Sequence, residues 1–227
     1  MLYVRWPIVA QVCGVTSTEV RGWNTDSWPL SADCLNAVCF MRIIAGKYRS
    51  RQLRSLRGLD LRPTSDRLRE TLFDVLTAGT PEALEGSVWL DLFAGTGAVG
   101  IEALSRGAGK VYFVEVSRHA AELIRSNLES LQVRQGFEIL QQKSAHAISH
   151  LEGLRVRPNF IFLDPPYRMR EAYQDTLERL AGSMLGEDSL IIAEHEKRFD
   201  PGAKFGFLHR VRKLEQGDAS LSFYRRA

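Results

Sequence analysis

Two stretches of the chain carry residue types that could do chemistry together. Gly95-Thr96-Gly97-Ala98-Val99-Gly100 has the spacing G-x-G-x-x-G, and Glu115 follows 20 residues beyond Gly95. Glycines let the backbone come close to a ligand, and the amides at a helix start face it. A carboxylate ending the next strand can accept both hydroxyls of a ribose. Taken alone, the loop fits a nicotinamide dinucleotide as well as S-adenosylmethionine. Asp91, in Asp91-Leu92-Phe93-Ala94-Gly95-Thr96-Gly97, separates the two. A carboxylate just before the first glycine is poorly placed for a pyrophosphate, whereas S-adenosylmethionine brings an ammonium and a sulfonium that an aspartate attracts.

The second stretch is Asp164-Pro165-Pro166-Tyr167, which follows the apolar run Phe160-Ile161-Phe162-Leu163. Two successive prolines donate no backbone N–H, so this corner offers acceptors only. The Asp164 carboxylate and the Pro165 carbonyl can hold the hydrogens of an exocyclic base amine, and Tyr167 offers a face for the base to stack on. An aryl amine is a poor nucleophile because its lone pair is delocalised into the ring. Two acceptors on its hydrogens aim that lone pair and help to remove the proton, which is positioning without a covalent enzyme intermediate.

Both stretches need a scaffold that brings them to one edge, and the hydrophobic pattern supplies one. Strands over 87–93, 110–116, 137–141, 160–164 and 189–194 alternate with helices over 98–106, 118–131, 145–154 and 171–185. That beat predicts an α/β fold with a parallel sheet covered on both faces, whose ligands bind at the carboxyl edge. The tail, 205–214 and 220–225, predicts an antiparallel hairpin on the sheet. Ahead of the first of these strands, Pro63-Thr64-Ser65-Asp66 predicts a helix start, with Leu68, Leu72, Phe73 and Leu76 on its buried face.

Positive charge gathers at one end. Residues 42–69 hold nine basic residues against two acidic ones, although the whole chain is only +3, so the remainder is net acidic. This is the pattern of a polyanion-binding surface. Ile43-Ile44-Ala45, Gly46 and the alternation from Tyr48 to Leu53 predict a short basic β-hairpin with Arg49 and Arg51 on its open face. Arg42, Lys47, Arg49, Arg51, Arg54 and Arg67 are its candidate RNA contacts.

With 227 residues, 44% apolar and 25% charged, the chain is an ordinary globular one, and no apolar run is long enough to span a bilayer. Cys13, Cys34 and Cys39 match neither a disulfide framework nor a zinc site. His146 and His150, four apart, have no evident third ligand, so no metal is expected. The first forty residues, with three of the four tryptophans and no helical or strand period, do not have the order of a secretory signal. They are expected to be a non-native or disordered extension from a reading frame opened too early, the alternative being a small extra module. The expected organisation is then 1–40 extension, 41–62 basic RNA-binding hairpin and 63–227 catalytic domain.

From about Met41 to its end the chain resembles the bacterial 16S ribosomal RNA guanine-N2 methyltransferase family. The resemblance rests on Arg42-Ile43-Ile44-Ala45-Gly46, on Arg62-Pro63-Thr64-Ser65-Asp66-Arg67-Leu68-Arg69-Glu70-Thr71-Leu72-Phe73, on the run from Asp91 to Gly107 and on Asp164 to Tyr167. It implies a Rossmann-like class I methyltransferase with a seven-stranded, mostly parallel sheet and an antiparallel C-terminal hairpin. It also implies S-adenosylmethionine as cofactor and a guanine N2 in 16S rRNA of the small ribosomal subunit as target, in a cytoplasmic, monomeric enzyme. The implied donor site comprises Asp91, Phe93, Ala94, Gly95, Thr96, Gly97, Glu115, Val116, Ser144, Ala145 and Asp164. The implied catalytic corner is Asp164, Pro165, Pro166 and Tyr167, with Thr64, Arg67 and Glu70 at its mouth. Ser144 stands where many relatives carry Asp or Asn against the adenine amino group. An adenine-N6 DNA methyltransferase uses a similar corner, but no insertion here is large enough for its target-recognition region. An NAD-dependent oxidoreductase is the alternative from another class, and it leaves Asp164 to Tyr167 unexplained.

Overall fold

The computed structural model describes residues 39–55, 65–166 and 168–227. Thr64, Tyr167 and the expected extension up to residue 38 lie outside the described residues. In chain order the elements are β1 (Cys39–Arg42), β2 (Gln52–Ser55), α1 (Asp66–Thr77), β3 (Val88–Asp91), α2 (Ala98–Ser105), β4 (Lys110–Val114) and α3 (Arg118–Ser130). They continue with β5 (Phe137–Leu140), α4 (Ser144–Gly153), β6 (Phe160–Leu163), α5 (Arg170–Gly182), β7 (Leu190–Glu196), β8 (Lys204–Phe205), β9 (Leu208–Gln216) and β10 (Ala219–Arg226). Among the described residues no helix is long and apolar enough to cross a membrane.

The central sheet has the order β5-β4-β3-β6-β7-β10-β9-β8. Strands β3 to β7 are parallel to one another, while β10 runs antiparallel between β7 and β9. The chain moves outward from β3 to β5 on one side, then returns to lay β6 and β7 on the other. The connections leaving β3 and β6 therefore diverge, and a crevice opens between them at the carboxyl edge. The glycine loop follows β3 and Asp164-Pro165-Pro166 follows β6, so the topology brings the two chemical stretches together. The seven expected strands are all present. An eighth, the two-residue β8, pairs with β9 through Phe205↔Leu208, because Phe205 and Leu208 both bury their side chains and pull the turn into register.

Each sheet face carries its own apolar core. One is built around Leu72, Phe73, Trp89, Ile101, Phe113 and Ile124, and the other around Leu90, Ile148, Ile161, Leu177 and Ile191. Helix α1 starts where its sequence predicts, with the Leu68 amide donating to the Ser65 hydroxyl at 3.2 Å. It buries Leu68, Arg69, Leu72, Phe73 and Leu76.

The basic hairpin forms, but not where the alternation places it. Its strands are Cys39–Arg42 and Gln52–Ser55, paired from Cys39↔Ser55 to Arg42↔Gln52, so the first strand opens two residues before Met41. The expected first strand, Ile43-Ile44-Ala45, and the start of the expected second, at Tyr48, are not strands, because α2 takes their amides. The Ile44 and Ala45 N–H groups donate to Glu102 at 2.8 and 3.0 Å, and those of Lys47 and Tyr48 to the Ser105 carbonyl and hydroxyl at 2.7 and 3.0 Å. Residues 38–227 form one compact unit, so the hairpin is part of the same body as the expected catalytic domain.

Candidate active site

The glycine loop owes its shape to its glycines, of which Gly95 has a positive φ of +52. Gly97, at φ +78, turns the chain into α2, a conformation that favours glycine. Gly100 allows helix and sheet to touch, since a Cβ there would lie 2.3 Å from the Phe113 ring. Neighbouring strands fix the loop entrance, with the Leu92 amide donating to Phe162 O at 2.9 Å and the Ala94 amide to Val114 O at 3.0 Å.

Glu115 pins the loop from the side. One carboxylate oxygen accepts from the Gly95 amide at 2.9 Å and the other from the Ser117 amide at 2.8 Å. Each oxygen keeps a further lone pair, so the carboxylate is oriented and can still receive two hydroxyls. Beside it Val116 is 65% exposed and lines the cleft, so its side chain is available to an apolar face of a ligand.

Asp91 differs from its expected role as a cleft-facing charge. It is 1% exposed and does not line the cleft, and its Oδ2 accepts from the Gly100 amide at 3.2 Å. Its Oδ1 is buried without a hydrogen-bond partner. Burial pushes the carboxyl up to about 7, against the opposing effect of the Gly100 amide. A cation approaching the loop would restore the charged form, so the buried acid fits a positively charged ligand even though it does not touch the open cleft.

That cleft, of about 730 Å³, lies at the carboxyl edge between α4 and α5. Phe93, Glu115, Val116, Ser144, Ala145, Asp164 and Pro166 all line it, joined by Met169, Asp175 and Thr176. Asp164 is half-buried there, whereas Pro165 is buried. The turn is held by the Met169 amide donating to Pro166 O at 2.7 Å. Behind it the Tyr173 hydroxyl lies 2.8 Å from Glu194 O and 3.4 Å from Pro165 O. His195, fully buried, fixes the end of β7 through Glu196 O and the Ser222 hydroxyl, each 2.9 Å away. A carbonyl only accepts, so Nδ1 carries the proton, and burial pulls the imidazole pKa down, favouring this neutral form.

The candidate RNA contacts lie on the hairpin and α1. Arg49 and Arg67 are exposed. Arg42 pairs with Asp66 at 3.0 Å, Lys47 lies over the Tyr48 ring, Arg51 reaches Ser130 O at 2.8 Å and Arg54 reaches the Ser126 hydroxyl at 3.4 Å. Arg51, just before the second strand, and Arg54 within it therefore lean toward α3.

Sequence reasoning passed over the buried polar groups that assemble these parts. Glu102 is the lone acid in the apolar helix Ala98–Ser105, and Asn127 is the lone amide on the apolar face of α3. A single polar residue on an apolar stripe was the available signal for both. Arg69 is fully buried, with Nη2 donating to Arg42 O at 2.8 Å and pairing with Asp66 at 2.7 Å. Burial lowers its pKa, opposed by Asp66, Glu102 and Glu194.

The family described as Conserved hypothetical protein 95 matches residues 41–225. The Ribosomal RNA small subunit methyltransferase D of Haemophilus influenzae is 38% identical over 165 residues, covering 71% of this chain and 82% of its own. The chain belongs to this family. The protein of the same name from Escherichia coli strain K12 is 36% identical, with 69% of this chain and 75% of its own covered. Among solved structures, a hypothetical protein of Thermus thermophilus is 26% identical with a TM-score of 0.69, covering 82% of this chain and 99% of its own. The family's matched region spans the hairpin, the glycine loop and the Asp164 corner, and it starts after the first two residues of β1.

Proposed function

We propose that the chain transfers a methyl group from S-adenosylmethionine to the exocyclic N2 of a guanine in 16S rRNA, within the small ribosomal subunit or an assembly intermediate of it. The observation that carries this reading is that Glu115 and Asp164, from opposite sides of the sheet's switch point, line one cleft. Membership in the methyltransferase D family supports S-adenosylmethionine-dependent rRNA methylation. The acceptor-only corner supports the narrower choice of an amine.

In this reading Glu115 receives the ribose hydroxyls and Val116 covers an apolar face of the adenine. The loop Ala94-Gly95-Thr96-Gly97 presents backbone to the methionine part, while Asp91 behind it answers the positive charge. Ser144 and Ala145, in the first turn of α4, border the far end of the cleft. S-adenosylmethionine supplies an electrophilic methyl group. The chain's contribution is to aim the amine: Asp164 accepts one N–H and Pro165 O the other. The single proton of the Tyr173 hydroxyl goes to the nearer Glu194 O at 2.8 Å, which leaves the Pro165 oxygen, 3.4 Å away, free to accept from the amine. Asp164 then helps to take the proton released as the N–C bond forms. Tyr167 is assigned to stacking on the base. The hairpin binds phosphates through Arg42, Lys47, Arg49, Arg51 and Arg54, with Arg67 on α1 beside it. The hairpin, which opens at Cys39, serves RNA binding, and residues 63–227 serve catalysis, in a cytoplasmic monomer.

Asp164→Ala tests this. It should lower methyl transfer to unmodified small subunits by orders of magnitude while leaving S-adenosylmethionine affinity within a few-fold, because the carboxylate, though it also borders the donor, acts chiefly on the target amine in the transition state. Labelled donor and mass mapping of the product nucleotide read both the rate and the site. Near-parental turnover of Asp164→Ala, or methylation of another base, would overturn the mechanism.

A further inference from the structure

Asn127 sits on the buried face of α3 in line with Ala120, Ile124 and Leu131, and is 1% exposed. Its Oδ1 accepts from the Arg54 amide at 2.9 Å, while its Nδ2 donates to Arg54 O at 3.1 Å and to Thr96 O at 3.1 Å. One neighbour is an N–H and two are carbonyls, so the side-chain amide has a single orientation that satisfies all three. Strand β2 pairs with β1 along one edge. At Arg54 the other edge is completed by this amide, which offers the donor and acceptor that a neighbouring strand's peptide group would offer. The second N–H of the same amide reaches the centre of the glycine loop. One buried side chain thus bonds both the strand that carries Arg54 and the loop Gly95-Thr96-Gly97.

The other supports of that loop come from elsewhere: Glu115 holds the Gly95 amide and Asp91 the Gly100 amide. Among the described residues neither is hydrogen-bonded to the hairpin. The hairpin's tip is tied to α2 by Glu102 and Ser105, well along the helix that the loop begins. Asn127 is the direct bond from the second hairpin strand to the loop backbone.

We propose that Asn127 is a positioning residue that couples the two ligands of this protein. RNA held on the hairpin fixes β2, β2 fixes the Asn127 amide, and the amide holds Thr96 O so that the loop is set for the methyl donor. The inference rests on the reading that the hairpin takes RNA and the loop takes S-adenosylmethionine. Coupling between binding sites is reciprocal, so each ligand tightens the other by the same factor.

The test measures binding of labelled S-adenosylhomocysteine, which has no methyl to transfer, with and without saturating unmodified small ribosomal subunits. The parent should bind it about fivefold or more tightly when the particle is present, within the usual span of allosteric coupling. Asn127→Asp keeps the size and the acceptor for the Arg54 amide but turns an oxygen toward two carbonyls. Its ratio should fall to within about twofold of one. Arg54→Ala, which keeps the backbone bonds to Asn127, should need more particle for saturation yet keep the parental ratio. A merely structural asparagine would lower both affinities and leave the ratio alone, so an Asn127→Asp ratio equal to the parent's overturns the coupling. A parent that binds both partners with a ratio of one overturns it as well and leaves the methyltransferase reading standing. A parent that binds neither removes that reading and the coupling with it. Should Asn127→Asp fail to fold, the parent alone decides. Polyuridylic acid at low salt should slow amide exchange over residues 93–99 in the donor-free protein, and unchanged exchange there overturns the proposal.

Discussion

Asp91 shows how far a side chain's surroundings can displace the chemistry its type suggests. Its carboxyl, ordinarily near 3.8, is pushed up to about 7 by burial. Between those values the folded chain holds a proton that the unfolded chain has released, so the donor-free protein loses stability as pH rises from about 4 through about 7. Asp91→Asn should remove that slope and, at pH 8 without donor, stabilise the fold on the order of 2 to 4 kcal/mol. Urea unfolding of both proteins at pH 5 and pH 8 checks it, and parallel pH profiles would show that the carboxyl stays ionised. The sequence made Asp91, Glu115 and Asp164 legible as a set because their types and spacing are distinctive. It could not tell that Asp91 lies behind the loop, since burial is decided by how α2 packs on β3 and β4. Asn127 was illegible for the opposite reason: one amide on an apolar stripe does not say which backbone groups, 73 and 31 residues away, will need it.

Among the elements, the alternating strands and helices were readable because their apolar runs are bounded by turn residues and each follows one period. The hairpin was misplaced because its period breaks where α2 competes for its amides, and that competition is tertiary. Gly46 marks the closest approach. It has φ +81, and a Cβ there would lie 1.9 Å from the Ser105 carbonyl oxygen. Backbone cannot step aside as a flexible side chain can. Gly46→Ala should therefore lift the hairpin tip from α2 and destabilise the protein by about 3 kcal/mol, combining a left-handed alanine with an overpacked contact. Chemical denaturation measures the loss. RNA affinity should fall with it, while donor affinity changes less because Asn127 still reaches Thr96.

For the molecule as a whole, charge and topology divide the work. The described cations Arg42, Lys47, Arg49, Arg51, Arg54 and Arg67 sit on the hairpin and α1 of a chain that is otherwise net acidic, which orients a polyanion toward that side. Replacing Arg49, Arg51 and Arg54 with alanine should weaken RNA binding and flatten its dependence on salt, the log–log slope falling by roughly 0.7 to 0.9 for each phosphate that is no longer neutralised. Equal slopes for variant and parent would take these residues out of the interface. The limits of the folded unit can be tested in the same spirit. A chain beginning at Val38 keeps all four β1 to β2 pairs and should melt with the parent, whereas one beginning at Met41 loses Cys39↔Ser55 and Phe40↔Arg54 and should melt several degrees lower. Differential scanning calorimetry distinguishes the two.

That shortened chain has a useful optical property. Trp6, Trp23 and Trp28 are gone from it, and Trp89 is then its single tryptophan. The indole is fully buried between Phe73 of α1 and Phe160 of β6, with ring centroids 5.4 and 5.2 Å away. Emission from an indole shifts to the red when water reaches it, so the colour of the shortened chain's intrinsic fluorescence reports, without any label, whether α1 is seated on the sheet.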